Sequence, residues 1–208
     1  KNVRQTLSKI SCLVYVKKPK NLIAVTGTNG KSSVADFYYQ ILKFNNIKVA
    51  SIGTLGIKKE LKKITIANTT LDPILLGQQL QKLKNENIDN VILEASSHGL
   101  KQNRLNGLDF KIGIFTNLSH DHLDYHKNYK DYLNSKLYLF KKLIKKKSCV
   151  ITDKTIKEYL KIKRISKSRK LKLNTIGNIK STLTIISHKY IGKKQTVKIK
   201  YKSKIYIL

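Results

Sequence analysis

The stretch of this chain with the clearest chemical potential is a short loop in which a lysine follows a glycine. Residues 26–33 read T-G-T-N-G-K-S-S. The backbone N–H groups of such a loop, together with the start of a following helix, can hold nucleotide phosphates, while the lysine adds positive charge. A hydroxyl beside the lysine can bind Mg²⁺. The predicted nucleotide-binding residues are Gly27, Thr28, Asn29, Gly30, Lys31, Ser32 and Ser33.

A carboxylate and a histidine follow two other apolar runs. Glu94 comes directly after V-I-L at residues 91–93, so it lies at the carboxyl end of a predicted strand, where open α/β sheets place ligands. Carboxylate oxygens suit Mg²⁺, although a solvated acid at a strand end is the plainer alternative. His122 lies in a loop with two further histidines and two aspartates at residues 119–126. We assign His120 of this loop no role.

Lys136 lies on the apolar stripe of a helix predicted over residues 129–144. It is three residues after Leu133 and four before Phe140, and these positions share one helix face. A charged lysine is unfavourable there. We therefore expect the side chain to extend toward solvent, to lose its proton or to be modified. In a helix so rich in lysine, extension toward solvent is the plainer alternative.

A turn of small polar residues, N-T-T-L-D-P, occupies residues 68–73. Taken by itself, this pattern predicts only a loop or a helix N-cap.

The periodicity of apolar residues predicts the elements that position these side chains. Strands are expected near residues 22–25, 48–52, 90–95 and 112–116, and helices over residues 3–14, 74–85 and 129–144, with a lysine-rich helical segment after residues 149–151. A further helix should bury a stripe made of Val34, Phe37, Tyr38, Ile41 and Leu42. Alternating strands and helices predict an α/β fold, with a mostly parallel sheet flanked by helices. Residues 182–208 alternate apolar and polar side chains, which predicts a small antiparallel β element at the C-terminal end.

Composition limits the class of protein. The 208 residues carry a formal charge of +31, almost entirely from lysine, and this invites a nucleic-acid hypothesis. Arginine, which nucleic-acid interfaces favour, is scarce, so we expect lysines on solvated faces and no specific nucleic-acid partner. Two cysteines are too few for a disulfide framework. No apolar run is long enough to cross a bilayer, and we expect no membrane partner.

Four segments resemble the Mur ligases, which add amino acids to the UDP-linked peptide precursor of the bacterial cell wall. T-G-T-N-G-K-S is similar to their ATP-binding loop. E-A-S-S-H-G-L at residues 94–100, T-N-L-S-H-D-H-L-D-Y-H at 116–126 and Y-L-N-S-K-L-Y-L-F at 132–140 resemble E-x-S-S-H-G-L, T-N-L-x-x-D-H-L-D-Y-H and Y-x-x-x-K-x-x-L-F of the family. The second and third are typical of the member that adds the third residue of the peptide.

The resemblance implies an ATP-dependent amide ligase. It would add meso-diaminopimelate or L-lysine to UDP-N-acetylmuramoyl-L-alanyl-D-glutamate through an acyl phosphate. The implied catalytic residues are Lys31, Glu94, His122 and Lys136. The implied Mg²⁺ ligands are Ser32, Glu94, His122 and Lys136 as a carbamate. The implied substrate-binding residues are Asn68, Thr69, Thr70, Ser96, Gln102 and Arg104. Leu71 and Asp72 separate the threonine pair from Pro73, whereas the family commonly has proline directly after the pair.

The resemblance also sets expectations for the whole protein. Residues 1–20 would be a connector or a remnant of an N-terminal UDP-binding domain, and residues 21–208 an incomplete central ATPase domain without the C-terminal domain. The chain begins with Lys1 and contains no methionine, as expected of a piece of a longer protein. We expect a cytoplasmic monomer at full length. The alternatives are another amide ligase of the superfamily, similar to folylpolyglutamate or cyanophycin synthetases, and a basic nucleotide- or nucleic-acid-binding module without ligase activity.

Overall fold

The computed structural model describes residues 2–60, 62–122, 124–192 and 194–208. Lys1 of the predicted connector and Leu123 of the D-H-L string therefore lie outside the described residues.

The strands of the described residues form a single sheet. They are β1 Asn21–Thr26, β2 Val49–Gly53, β3 Gly56–Lys59, β4 Lys62–Ile64, β5 Asn90–Glu94, β6 Phe110–Phe115, β7 Ile144–Asp153, β8 Lys172–Gly177, β9 Leu183–Ile191, β10 Lys194–Tyr201 and β11 Lys204–Ile207. Their spatial order is β11-β10-β9-β8-β7-β6-β1-β5-β2-β3-β4. The strands from β2 across to β9 pair in parallel, and antiparallel pairs extend the sheet at both edges.

Helices cover this sheet. They are α1 Val3–Val14, α2 Lys31–Phe44, α3 Pro73–Asn85, α4 Ser97–Lys101, α5 Tyr129–Tyr138 and α6 Tyr159–Ser168. The α/β prediction with a mostly parallel sheet and an antiparallel C-terminal element is confirmed. Among the described residues, no helix combines the length and the hydrophobicity needed to cross a membrane.

The prediction of one helix over residues 129–144 is wrong for the second half of this range. The α-helical part ends at Tyr138, a π-helical turn covers Leu139–Leu143, and β7 begins at Ile144. The turn keeps the side chains of Leu139, Phe140 and Leu143 buried in the main core. Arg169 Nη1 donates to the carbonyl oxygen of Phe140 at 2.9 Å, so a side chain from outside the turn satisfies one of its carbonyls.

Four strands of the sheet were not predicted from the sequence. No strand was expected at β7, at β8 or in the hairpin of β3 and β4. The hairpin strands have four and three residues, too few to show a clear alternation of apolar and polar side chains.

The α2 helix forms as predicted but buries a different face. Phe37 and Ile41 are 61% and 60% exposed. The helix packs on the sheet through Ala35, with Val34 and Tyr38 partly buried against strand residues. The predicted burial of Phe37 and Ile41 is therefore wrong, because helical periodicity identifies an apolar stripe without identifying which part of it contacts the sheet.

The α1 helix packs against α3 and the segment after α4 through small side chains. Ser11 Oγ donates to the carbonyl oxygen of Pro73 at 2.6 Å, and Ser8 Oγ to that of Asn103 at 2.7 Å. The large aliphatic residues of α1, in contrast, are exposed, with Val3 and Leu13 among them, and only Cys12 of its apolar residues packs against the main core of the described residues.

The order of the strands creates a natural ligand site. The chain leaves β1 toward β2 on one side of the sheet and leaves the neighbouring strand β6 toward β7 on the other, so the connections after these two adjacent strands diverge. In open α/β sheets, ligands bind outside the carboxyl ends of the strands at such a switch point. The phosphate-type loop follows β1 and occupies this position.

Candidate functional site

The loop between β1 and α2 has the backbone conformation that its glycines allow. Gly27 has φ +152°, and a Cβ there would lie 1.9 Å from Thr116 Oγ1. Gly30, the N-cap of α2, has φ +80°, in the left-handed region where glycine is favoured. Asn117 fastens the loop to the end of β6, since its carbonyl oxygen accepts from Thr28 N at 3.0 Å and its Oδ1 from Asn29 N at 2.9 Å.

Lys31 folds back onto this loop. Its Nζ donates to the carbonyl oxygens of Gly27 at 3.1 Å and Thr28 at 2.7 Å. Burial lowers the pKa of Lys31, and the carboxylates of Glu94 and Asp121 oppose that shift. The N-cap of α2 offers no side-chain acceptor, so the first N–H groups of the helix are open to an anion. The arrangement suits a polyphosphate, with a cation and free donors at one point.

Glu94, at the end of β5, is held by a set of donors. The side chain is 2% exposed. Its Oε1 accepts from Thr54 N at 2.9 Å, and its Oε2 from Thr54 Oγ1 at 3.1 Å and Ser32 Oγ at 3.0 Å. A Cβ on Gly53 would lie 2.1 Å from Glu94 Oε1, so only glycine leaves room for the carboxylate. Ser32 and Glu94 thus present neighbouring hard oxygen atoms, which fit Mg²⁺.

Lys136 is buried in the described structure. Its side chain is 1% exposed, and its Nζ donates to the carbonyl oxygen of Gly27 at 2.7 Å. The ammonium nitrogen lies 4.5 Å from the centre of the Tyr132 ring. Burial, followed by repulsion from Lys31, lowers the pKa of Lys136 to about 7. The alternative that the Lys136 side chain extends toward solvent is therefore wrong. Its burial near Lys31 favours the alternative that it loses its proton.

His122 lies in the loop after β6, at the carboxyl end of that strand. Its backbone has φ +54°, and its ring meets the His98 ring edge-on at 5.1 Å between centroids. His98 in turn stacks on Tyr125 at 3.9 Å. The described residues contain no group of three or more His, Cys, Asp or Glu side chains that could hold a metal ion. A metal here would therefore need ligands beyond those side-chain types, such as Ser32, phosphate oxygens or a modified lysine.

A cavity of about 370 Å³ is lined both by Lys31 of the phosphate loop and by the residues expected to bind substrate. Lys31, His122 and Lys136 line it, as do all six residues expected to bind substrate. Those six are Asn68, Thr69, Thr70, Ser96, Gln102 and Arg104. Ser33, by contrast, is exposed on the first turn of α2 and does not line the cavity.

Hydrogen bonds within this cavity wall orient its one arginine. Arg104 donates from Nη1 to the carbonyl oxygen of Thr70 at 2.6 Å and from Nε to Gln102 Oε1 at 2.9 Å. The Thr70 hydroxyl donates to the carbonyl oxygen of Glu94 at 2.8 Å and accepts from Ser96 N at 2.9 Å. The Thr70 hydroxyl thus connects the segments of residues 70 and 94–96, while Arg104 contributes a positive charge held in a defined position in the cavity wall.

Several residues of the site were missed from the sequence. Thr54, which donates to Glu94, and Gly53, which leaves room for it, lie at the carboxyl end of a predicted strand, and that position was a usable signal. Ser97 and His98 also line the cavity and stand inside the E-A-S-S-H-G-L segment. The buried Oγ of Ser97 has no hydrogen-bond partner among the described residues, which leaves a polar group available to a ligand.

Comparison with known proteins identifies relatives of this chain. Residues 25–207 match the family model for the Mur ligase middle domain. The UDP-N-acetylmuramoyl-L-alanyl-D-glutamate--2,6-diaminopimelate ligase of Rickettsia bellii (strain RML369-C) is 40% identical over 190 residues, which cover 88% of this chain and 40% of that protein. The chain thus spans about two fifths of the length of this relative.

Solved structures of Mur ligases and of a folylpolyglutamate synthase also match this chain. A structure of a UDP-N-acetylmuramoyl-L-alanyl-D-glutamate--2,6-diaminopimelate ligase matches with a TM-score of 0.87 and 27% identity, over 100% of this chain and 43% of that one. Mycobacterium tuberculosis folylpolyglutamate synthase complexed with ADP matches with a TM-score of 0.74 over 94% of this chain and 50% of that one. At 12% identity, the second match shows a shared fold alone. Because the family match extends over residues 25–207, the chain belongs to the Mur ligase family through its middle domain.

Proposed function

We propose that this chain is the ATP-binding part of a ligase that adds the third amino acid to UDP-N-acetylmuramoyl-L-alanyl-D-glutamate. The observation that carries the proposal is that Lys31 of the phosphate loop lines the same cavity as the six residues expected to bind this precursor. A nucleotide phosphate and a substrate carboxylate would thus meet in one cavity. The added amino acid would be meso-diaminopimelate or L-lysine, and the name of the Rickettsia bellii relative supports the former.

The chain's own residues would bind and orient the reactants. Lys31 would exchange its two loop carbonyls for phosphate oxygens, and the N-terminus of α2 would donate to the same anion. Ser32 and Glu94 would hold Mg²⁺, which supplies charge neutralisation at the transferring phosphoryl group. Arg104, beside Gln102 and Thr70, would hold an anionic group of the precursor. The bound nucleotide supplies the phosphoryl group that activates the substrate carboxylate.

We propose that Lys136 is a carbamate in the active enzyme. The lowered pKa makes the neutral amine available, and this amine reacts with CO₂ to form an N–C bond with release of one proton. The product is an anion beside the Lys31 ammonium, so carbamate formation replaces repulsion by attraction. Its oxygens would be further ligands for Mg²⁺, since hard oxygen suits this ion, and the family resemblance adds His122 as a ligand.

The domain organisation follows from the same proposal. The match to a middle domain begins at residue 25, which supports a connector or remnant over residues 1–20 and a central ATPase domain over residues 21–208. The whole enzyme would be a cytoplasmic monomer. Folylpolyglutamate synthase shares the fold alone with this chain, and this match gives the alternative of such a synthetase no further support.

The proposed nucleotide binding can be tested by calorimetric titration of the 208-residue chain with ATP and Mg²⁺. We expect weak binding that falls at least about tenfold in Lys31→Ala, a loss of about 1.4 kcal/mol. Lys43→Ala, an exposed lysine in the last turn of the same helix, is the matched control and should bind as the wild type does. We also expect no ligation by this chain alone.

Equal affinity in the wild type and Lys31→Ala would contradict binding at the phosphate loop. Substantial ligation by the 208-residue chain would contradict the expectation that these residues alone do not complete the reaction.

A further inference from the structure

The phenol of Tyr125 connects two side chains of the candidate site from behind the cavity wall. Its hydroxyl accepts a hydrogen bond from Gln102 Nε2 at 3.0 Å, and its ring stacks on His98 at 3.9 Å between centroids. Gln102 and His98 line the cavity of the candidate site, whereas Tyr125 is not among the residues that line it. Tyr125 therefore acts on a ligand in this cavity only through its neighbours.

A chain of hydrogen bonds leads from Tyr125 to the cavity arginine. Gln102 Oε1 accepts from Arg104 Nε at 2.9 Å. Arginine can only donate, so it requires the oxygen of this amide, and the amide nitrogen then needs an acceptor on its other side. The Tyr125 hydroxyl is that acceptor. It holds Gln102 in the orientation that Arg104 requires.

Tyr125 is itself held in place from several directions. Its backbone N donates to the carbonyl oxygen of His122 at 3.2 Å. The Lys101 ammonium lies 5.2 Å from the centre of the phenol ring, and this ammonium pairs with Asp131 Oδ2 at 2.5 Å. Together with the stack on His98, these contacts join the loop after β6 to α4 and α5. The position of the hydroxyl is thus set by the tertiary structure.

The donors that Arg104 has left indicate what this order serves. A guanidinium carries five N–H donors in a planar fork. Gln102 and the carbonyl oxygen of Thr70 accept from Nε and Nη1, and Nη2 has no acceptor among the described residues. Two bonds fix the plane of the fork, so its remaining donors have a defined direction. A carboxylate or phosphate then binds with less loss of side-chain entropy.

We propose that Tyr125 is a positioning residue of the precursor site. Its hydroxyl holds Gln102, and through Gln102 it fixes the guanidinium of Arg104 for an anionic group of the precursor. The inference rests on the proposed binding of the precursor at Arg104. It gives a role to the tyrosine of the loop that also carries His122.

Tyr125→Phe tests this inference, because it removes the hydroxyl and keeps the ring that stacks on His98. Calorimetric titration of the 208-residue chain with UDP-N-acetylmuramoyl-L-alanyl-D-glutamate should show an affinity about threefold to tenfold below that of the wild type, the size of one net hydrogen bond. Titration with ATP and Mg²⁺ should give the wild-type affinity, because the phosphate loop is unchanged.

Tyr15→Phe is the matched control. The Tyr15 hydroxyl also accepts from a glutamine, Gln78 Nε2, at 2.9 Å, and Tyr15 does not line the cavity of the candidate site. The variant removes the same kind of hydrogen bond elsewhere in the fold. Both affinities should equal those of the wild type.

Nitrogen-15 NMR of the arginine side chains gives a readout that needs no ligand. The chain contains four arginines, at positions 4, 104, 164 and 169, so the Nε–H signals are few. In Tyr125→Phe, the Nε–H of Arg104 should exchange with water about threefold faster or more, as for the loss of one net hydrogen bond. Arg169, which donates to the carbonyl oxygen of Phe140, should not change, whereas a general loosening of the fold would affect both arginines.

The outcomes separate this inference from the function it rests on. Unchanged exchange at Arg104 in Tyr125→Phe would overturn the inference, because the phenol would not be holding the guanidinium. Faster exchange with unchanged precursor affinity, or an equal loss of precursor and ATP affinity, would overturn it as well. A folded wild type that binds ATP but binds the precursor no better than Arg104→Ala does would refute the proposed precursor site itself.

Discussion

At the scale of single residues, the site contains two lysines that donate to one carbonyl oxygen. Lys31 and Lys136 both contact the oxygen of Gly27, at 3.1 and 2.7 Å, so their nitrogens lie no farther apart than the sum of these distances. Two ammonium groups this close repel each other. Lys136 is the more deeply buried of the two and carries the larger fall in pKa, to about 7. The phosphate loop therefore has, beside the Lys31 cation, an amine that is partly neutral near pH 7.

We expect Lys136 to make stability depend on pH. Its pKa is about 7 in the folded protein, against an ordinary value of 10.5, so between these values the unfolded chain binds a proton that the folded chain does not. The free energy of unfolding, relative to Lys136→Met, should rise with pH in this window by up to about 1.4 kcal/mol per unit. Urea denaturation in CO₂-free buffer from about pH 7 to 9 measures this.

The control for this prediction is Lys43→Met, whose difference from the wild type should not change with pH. A constant difference for Lys136→Met as well would show that Lys136 remains charged in the folded protein.

At the scale of elements, the contact between α1 and α3 depends on a glycine. Gly77 of α3 is buried, and a Cβ there would lie 2.5 Å from Tyr15 Cδ2 and 2.7 Å from Ser11 Oγ. The missing side chain lets the first helix approach closely enough for Ser11 to donate to the carbonyl oxygen of Pro73. This contact places α1 against the N-terminal end of α3, directly after the polar turn that lines the cavity of the candidate site.

Gly77→Ala separates helix propensity from packing. Propensity alone would make alanine more stable by about 1 kcal/mol within a helix. The close contacts with Tyr15 and Ser11 should outweigh this gain, and we expect a net loss of about 1–3 kcal/mol in the free energy of unfolding. In a Tyr15→Ala background the loss should fall by at least half, since one of the two obstructing side chains is gone. Thermal and urea denaturation of the four chains would show this, and a stabilising Gly77→Ala would contradict it.

At the scale of the whole molecule, the net charge of +31 creates a positive field around the domain. Such a field raises the local concentration of anionic ligands, including nucleotides. Most of its lysines lie on exposed or partly exposed positions along the chain. The buried Lys136, and Lys31 on the phosphate loop, in contrast, occupy defined places at the site. The general charge therefore attracts polyanions, and only the site provides specific contacts.

We expect nucleic acids to bind this protein weakly, without regard to sequence and with a steep dependence on salt. Lysines on solvated faces release counterions from a phosphate backbone but do not read bases. Mobility-shift titrations with two unrelated duplexes, from about 50 to 200 mM salt, should show equal affinities that fall at least tenfold. Tight, salt-resistant and sequence-selective binding would favour the nucleic-acid-binding alternative.

The sequence by itself determined the local parts of this protein. An apolar run followed by T-G-T-N-G-K-S-S was sufficient to predict a strand, a phosphate loop and a helix, and an apolar run ending in Glu94 was sufficient to place that carboxylate at the edge of the sheet. These features depend on residues that are close in sequence, where periodicity and backbone preference act directly. The antiparallel strands at the C-terminal end were predictable for the same reason.

Only the tertiary structure decided which of these parts meet. Lys136 donates to a carbonyl 109 residues away, and Gly53 makes room for Glu94 across neighbouring strands. The position of Gly53 at the end of a predicted strand was a local signal, but the two contacts themselves were not predictable from neighbouring residues, because each depends on the order in which the strands assemble. The same holds for the face of α2 that packs on the sheet, and for the turn that ends α5 early to keep Phe140 buried. Local pattern selects the elements, and burial in a shared core selects their partners.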